Sequence, residues 1–139
     1  MCLMKIYTFN QIEMGLIEQF ETKISEEMMT AFCNITGDIN PLHIDTSFAL
    51  SHNFKERVVY GMLTSSFYST LVGVYLPGKY GMLQGINIKF NKPVFIGDKL
   101  NVMGEVSFKS ESVKVIEIKA IARDAGSRTK IAVKTNDNR

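Results

Sequence analysis

The order of patterns along these 139 residues predicts an α+β domain. Three observations carry that expectation. One strand-like run near the N-terminus is followed by helical patterns up to residue 76, and then by four strand-like runs in succession, so strands and helices are segregated instead of alternating. The longest helical pattern is apolar on almost every side and needs a sheet to cover it. In the fourth run, Ile116, Ile118, Ala120 and Ala122 share one face, while Val113, Val115, Glu117, Lys119 and Ile121 share the other. That is the one-sided patterning of an antiparallel sheet packed on a helix.

Residues 8–15 form a lead-in, and residues 16–24 alternate well enough for a first strand. Ser25 followed by Glu26 and Glu27 is a helix start, with a hydroxyl to take an orphan amide and acids at the positive end of the dipole. Met28, Met29, Phe32 and Ile35 continue it as an apolar stripe, and Gly37 stands where a left-handed closing residue belongs. A loop over residues 36–44, bent by Pro41, follows. Asp45 and Thr46 then cap another short helix, and Lys55-Glu56-Arg57 is a charged connector. The long helix is expected over 61–76, with Leu63, Phe67, Leu71 and Val74 along one line and the small residues Ser66, Ser69, Thr70 and Gly73 along another. The small side invites close approach by backbone or ligand. Pro77-Gly78 stops it. Strands are expected at 83–90, 99–108, 113–123 and 129–135, parted by turn signals at Lys92-Pro93, Gly97-Asp98, Ser110-Glu111 and Ala125-Gly126-Ser127. Residues 136–139 form a polar tail, and the whole, 1–139, is one domain.

Composition removes several function classes. A hydrophobic fraction of 45% with 22% charged residues is that of an ordinary folded domain, not a disordered chain. A net charge of +2, with Lys and Arg scattered, gives no basis for nucleic-acid binding. No apolar run is long enough to span a membrane, and the N-terminus lacks the pattern of a secretory leader. Cys2 and Cys33 have neither metal-ligand spacing nor a pairing framework, which fits a reducing, cytoplasmic setting. His43 and His52 lack a regular ligand spacing, so no metal is expected. The serines at 65, 66 and 69 lack the Gly-x-Ser-x-Gly elbow of a nucleophile.

The residues with chemistry in them are Asp38 and His43. A carboxylate and an imidazole within reach of one oxygen can hold a water and shuttle its proton. Fully extended, five residues would separate them by more than about 15 Å, at roughly 3.3 Å per residue. Pro41 favours a bend, since it drives Asn40 out of the α region. The same residues also suit a plain turn, with His43 capping the next helix. Gly61 opens the long helix, where amides are unpaired and the dipole is positive, a place to polarise a carbonyl. A helix entry that needs glycine only to relieve crowding explains it as well.

The run Gly37-Asp38-Ile39-Asn40-Pro41-Leu42-His43-Ile44-Asp45, with the later Tyr60-Gly61-Met62-Leu63, resembles the (R)-specific enoyl-CoA hydratases, the MaoC-like dehydratases of the hotdog superfamily. Leu76-Pro77-Gly78-Lys79 and residues 90–98 extend the likeness, which covers about residues 16–133. It implies a hotdog fold: an antiparallel sheet of about five strands wrapped around a long central helix, with short extra helices before that helix. It further implies reversible hydration of a trans-2-enoyl-CoA to a (3R)-3-hydroxyacyl-CoA, with no metal or redox cofactor, in a homodimer or higher oligomer. Asp38 and His43 match the acid/base pair, the Gly61 amide the carbonyl-polarising group, and Asn40 the brace of the loop. Ser69 and Val72 match positions lining the acyl pocket.

Two departures stand out. Many members carry histidine where this chain has Tyr60, which is expected to alter pocket shape more than chemistry. The polar tail replaces the usual few residues beyond Ile131-Ala132-Val133. The bulk of Leu71, Val72 and Tyr75 predicts a modest pocket and short acyl chains. Arg57, Lys89 and Lys92 are the candidates for the CoA phosphates, and an acyl carrier protein is the alternative thioester carrier. The rival readings are a hotdog thioesterase, in which a carboxylate directs water at the carbonyl, and a non-catalytic acyl-thioester-binding subunit.

Overall fold

The computed structural model describes residues 3–123 and 127–137. Cys2, the Ala125-Gly126 part of the last turn, and Asn138 and Arg139 of the tail lie outside them. The elements run in chain order as a 3-10 turn (Phe9–Gln11), β1 (Ile17–Lys23), α1 (Glu26–Thr36), α2 (Pro41–Ile44), α3 (Thr46–Ser51), α4 (Gly61–Thr70), a π-helical turn (Leu71–Tyr75), β2 (Gly81–Phe90), β3 (Lys99–Ser110), β4 (Val115–Arg123) and β5 (Ser127–Thr135). The five strands form one antiparallel sheet in the order β1-β3-β4-β5-β2. This is the hotdog architecture, an α+β fold, with α4 and its π turn packed on the inner sheet face.

The caps explain why the helices start and stop where they do. Ser25 Oγ accepts from the Met28 amide at 3.2 Å, and Gly37 closes α1 at φ 73°, a left-handed conformation that costs glycine nothing. Of the predicted stripe on α1, Met29 is buried and Met28 and Phe32 pack on the core, but Ile35 stays open. Asp45 caps α3 through its carboxylate, which accepts from the Phe48 amide. The loop expected over 36–44 is half helix. Asn40 Oδ1 accepts from the Leu42 amide, and Pro41 sits at the first helical position, where its fixed φ fits and its missing N–H is no loss. His43 is therefore held on α2 and not on a free loop.

The core forms where the central helix crosses the sheet. Leu63, Tyr68, Leu71 and Val72 are buried against Leu100, Val102 and Val106 of β3, Ile116, Ile118, Ala120 and Ala122 of β4, and Ile131 and Val133 of β5. The apolar face read from β4 is thus the inner face. The helix departs from expectation at its C-terminal end, where Leu71–Tyr75 is π-helical. The wider turn rotates every later side chain away from the line that i, i+3 and i+4 spacing predicts. Met62, Ser66 and Ser69 leave one side of the helix open.

A side chain at Gly104 of β3 would meet Ile118 Cγ2 and Leu71 Cδ2, each at 2.8 Å. Gly104→Ala is expected to destabilise the fold by about 1–3 kcal/mol through overpacking. The check is a lower urea midpoint at an unchanged denaturant slope.

The tail is not loose where it is described. The Asn136 amide donates to Tyr80 O, and the Asp137 carboxylate accepts from the Phe9 amide at 3.1 Å. β5 runs nine residues to Thr135 and pairs with both β2 and β4, so the last strand is complete. Strand β2 lies at the sheet edge with Met82, Leu83, Ile86 and Phe90 between 41% and 51% exposed. Among the described helices none is long and apolar enough to cross a membrane.

Candidate active site

A single short segment, Val58 to Gly61, organises the region around Asp38 and His43. It is anchored to the rest of the fold by the Val59 amide, which donates to Val94 O, and by the Val58 amide, which donates to Leu42 O. Val58, Tyr60 and Gly61 then each meet one piece of the candidate chemistry.

His43 Nδ1 lies 2.7 Å from Val58 O. A carbonyl only accepts, so Nδ1 carries the hydrogen, and in the neutral ring Nε2 is left as an acceptor. Tyr60 is 2% exposed, and its ring lies against the imidazole with centroids 4.2 Å apart, with Phe32 on a further side at 4.7 Å. The Tyr60 hydroxyl donates to the Asp38 carbonyl at 2.7 Å. Burial, a hydrogen bond with the Cys33 thiol, and the negative charge available to Cys33 and Asp38 push that hydroxyl up to about 12, against a smaller opposing effect of Arg57. The phenol therefore remains a donor at neutral pH. Gly61 opens α4 with Tyr60 as N-cap, so its amide belongs to the unpaired first turn. Its missing side chain leaves room for Phe90, whose ring edge lies 3.1 Å from where a Cβ would stand.

Asp38 is set by its neighbours. Its own amide donates to Thr36 Oγ1, and its Oδ1 accepts from the Asn40 amide at 3.1 Å, an Asx turn that leaves Oδ2 free of backbone. Asp38, His43 and Gly61 all line one cavity of about 590 Å³, together with Tyr60, Thr36 and Phe32. Ser65, Ser66 and Ser69 of the open helix side and Leu83, Ile86 and Ile88 of the edge strand complete its wall. A second cavity of about 350 Å³ shares His43 and Gly61 with the first and is walled by Phe90, Asn91, Lys92 and Pro93 on its far side.

The predicted site residues sort unevenly onto this geometry. Asp38, His43, Gly61 and Ser69 share the cavity. Asn40 is not among its lining; it caps α2. Val72 is not among the lining either, being 3% exposed within the π turn. Leu71 and Tyr75 are equally absent from the wall, Leu71 being core and Tyr75 stacked on Phe20, so the three residues that predicted short acyl chains do not bound this cavity. Leu71 continues the Leu63–Phe67 line, and the wider turn over Leu71–Tyr75 shifts the residues after it from ordinary helical spacing.

Of the three phosphate candidates, Arg57 is engaged with Glu26 at 2.6 Å, and Lys89 faces the far side of the sheet near Lys119, Arg128 and Lys130. Lys92 stands at the second cavity. His52 stacks on Phe48 at the end of α3, away from His43's cavity. Among the described residues, no group of three or more His, Cys, Asp or Glu is placed to hold a metal ion. Sequence reasoning missed the contacts of Val58 O with His43 and of the Tyr60 hydroxyl with Asp38 O, which leave no trace in side-chain pattern.

Comparison with known proteins bears on the family and the fold. Residues 8–125 match the model of the MaoC like domain. The (R)-specific enoyl-CoA hydratase of Aeromonas caviae is 35% identical over 96 residues, spanning 69% of this chain and 72% of that protein. The 3-hydroxybutyryl-CoA dehydratase of Methylorubrum extorquens is 34% identical over 75% of this chain and 66% of its own length. The solved structure of an R-hydratase from Pseudomonas aeruginosa, in the unliganded form, superposes with a TM-score of 0.86 at 25% identity, covering 98% of this chain and 89% of that one. With more than four-fifths of its length inside the family match and the hotdog layers around it, the chain belongs to the MaoC-like dehydratase family and is an enzyme of the hydro-lyase class.

Proposed function

We propose that the protein is an (R)-specific enoyl-CoA hydratase, adding water reversibly to a trans-2-enoyl-CoA to give a (3R)-3-hydroxyacyl-CoA. The observation that supports this reading is the shared cavity, whose wall includes Asp38, His43 with its Nδ1 turned to Val58 O, and Gly61 at the start of α4. In hydration, Nε2 of neutral His43 takes a proton from water while Asp38 Oδ2 accepts its second hydrogen and aims the oxygen lone pair. The oxygen bonds to C3, the C2=C3 electron pair moves toward the thioester, and the charge gathers on its oxygen. The Gly61 amide donates to that oxygen, where the positive end of α4 also points. The imidazolium then returns the proton to C2, so that water has added across the bond with nothing left over.

No cofactor takes part in this scheme, and the thioester carrier is CoA. The pantetheine arm passes His43 and Gly61 toward Lys92, which is placed to meet its anionic end. The functional form is a homodimer. Strand β2 offers an unpaired edge carrying half-exposed apolar side chains, and Leu83, Ile86 and Ile88 of that strand wall the cavity, so a two-fold partner on this edge would cover both.

One assay tests the reaction. Purified protein with crotonyl-CoA is expected to bleach the enoyl-thioester absorbance and yield the (3R) alcohol, without releasing thiol. Thiol release at the same rate as substrate loss would assign the site to thioester hydrolysis instead. Binding with neither change would leave a non-catalytic acyl-thioester subunit.

A further inference from the structure

We propose that Tyr60 is a positioning residue that ties the Asp38 turn to the His43 imidazole and so sets the geometry of the acid/base pair. The role rests on the hydratase reading given above. It departs from the expectation that tyrosine at this position alters pocket shape more than chemistry.

The turn that carries Asp38 has little to hold it. Asp38, Ile39 and Asn40 are all exposed, with Ile39 at 71%. The other hydrogen bonds of residues 36–40 are local: Gly37 amide to Cys33 O, Thr36 Oγ1 to Phe32 O, Asp38 amide to Thr36 Oγ1, Asn40 amide to Asp38 Oδ1, Leu42 amide to Asn40 Oδ1, and His43 amide to Asn40 O. Such bonds shape the turn but do not fix where it sits. Among the described residues, the one hydrogen bond that reaches this turn from a distant part of the chain is the one from Tyr60 Oη to Asp38 O, 22 positions away.

The same ring touches the other partner. Its face lies 4.2 Å from the imidazole centroid, and His43 is already turned by Val58 O, two residues before Tyr60. The ring is itself immobilised, at 2% exposure, by Phe32 and by the segment's anchor to Val94. A rigid, buried side chain thus bears at its tip on the carboxylate-bearing turn and along its face on the imidazole. Proton transfer falls off steeply when reacting groups are misplaced, so a tether of this kind acts on turnover more than on binding.

The test uses the full chain and crotonyl-CoA. Tyr60→Phe keeps the ring against His43 and removes the tether together with the hydroxyl's contact to the Cys33 thiol. It is expected to lower kcat about tenfold with KM within about twofold and the unfolding midpoint nearly unchanged. Tyr60→His, the residue many family members carry, keeps a ring but is too short to reach the Asp38 carbonyl, and is expected to behave alike; it serves if the Phe variant folds poorly. The decisive measurement is made in an Asp38→Asn background, where Tyr60→Phe should change the residual rate by less than about twofold, because what it positions is gone. The same tenfold loss in both backgrounds would show an independent structural contribution and overturn the role, as would wild-type kcat in Tyr60→Phe. A wild-type protein that leaves the enoyl thioester untouched would remove the hydratase reading and this role with it, whereas an active wild type matched by both Tyr60 variants would remove only the role.

Discussion

His43→Ala is expected to slow crotonyl-CoA hydration at least about 10²-fold, a barrier increase of roughly 2.7 kcal/mol, while the protein stays folded. Asp38→Asn should lose a similar amount. The two substitutions act on opposite sides of one water. Alanine at 43 removes the acceptor that Nδ1–H···O=C bonding to Val58 leaves at Nε2. Asparagine at 38 still offers an oxygen to the Asn40 amide, so the Asx turn survives, but the negative charge that orients water and steadies the imidazolium is gone. The Asp38 side chain is exposed, and substitutions at such places usually move stability by no more than about 0.5 kcal/mol. A loss of rate therefore cannot be charged to unfolding, and near-parallel thermal transitions of the variants would confirm that. Because the pair handles one proton, the double variant should be little slower than the slower single one. Near-native rates in both single variants would take these residues out of the reaction.

How much of this was legible beforehand depended on whether the determining interaction was local. Ser25 and Gly37 bracket α1 because capping chemistry is written within four residues of each end, and such signals read correctly. The inner face of β4 read correctly because strand alternation is enforced by geometry alone. The loop holding Asp38 and His43 was half right, since the cues for a turn, Asn40 and Pro41, are also the cues for a helix start. The π turn after Thr70 had no cue, and Val72, expected at the acyl pocket, lies buried within it. Which carbonyl meets His43, and which hydroxyl holds Asp38, are contacts 15 and 22 residues apart in sequence, and no periodicity reports them. The family resemblance implied the roles but not these supports, one of which comes from Tyr60, where many members carry histidine.

Gly61→Pro is expected to cost about 10²–10³-fold in kcat, provided the role assigned to the Gly61 amide is correct. The substitution is unusually clean at this position. Gly61 is the first residue of α4, where proline fits the helical φ and where no intrahelical hydrogen bond is lost with the N–H. Tyr60 before it has φ −55° and ψ 126°, the extended conformation that a following proline requires. What proline adds is carbon near the Phe90 ring, 3.1 Å from the new Cβ, and Gly61→Ala adds the same Cβ while keeping the amide. Phe90 is 51% exposed at the sheet edge and is able to give way, so alanine should lose only a few-fold. The ratio of the two variants therefore separates loss of the donor, with proline Cδ standing where its hydrogen was, from the crowding at Phe90. If the amide stabilises charge on the thioester oxygen in the transition state, the ratio appears in kcat, with KM for crotonyl-CoA nearly common to both. Equal rates for the proline and alanine variants would mean that glycine is present for Phe90 alone, and the carbonyl would need another donor.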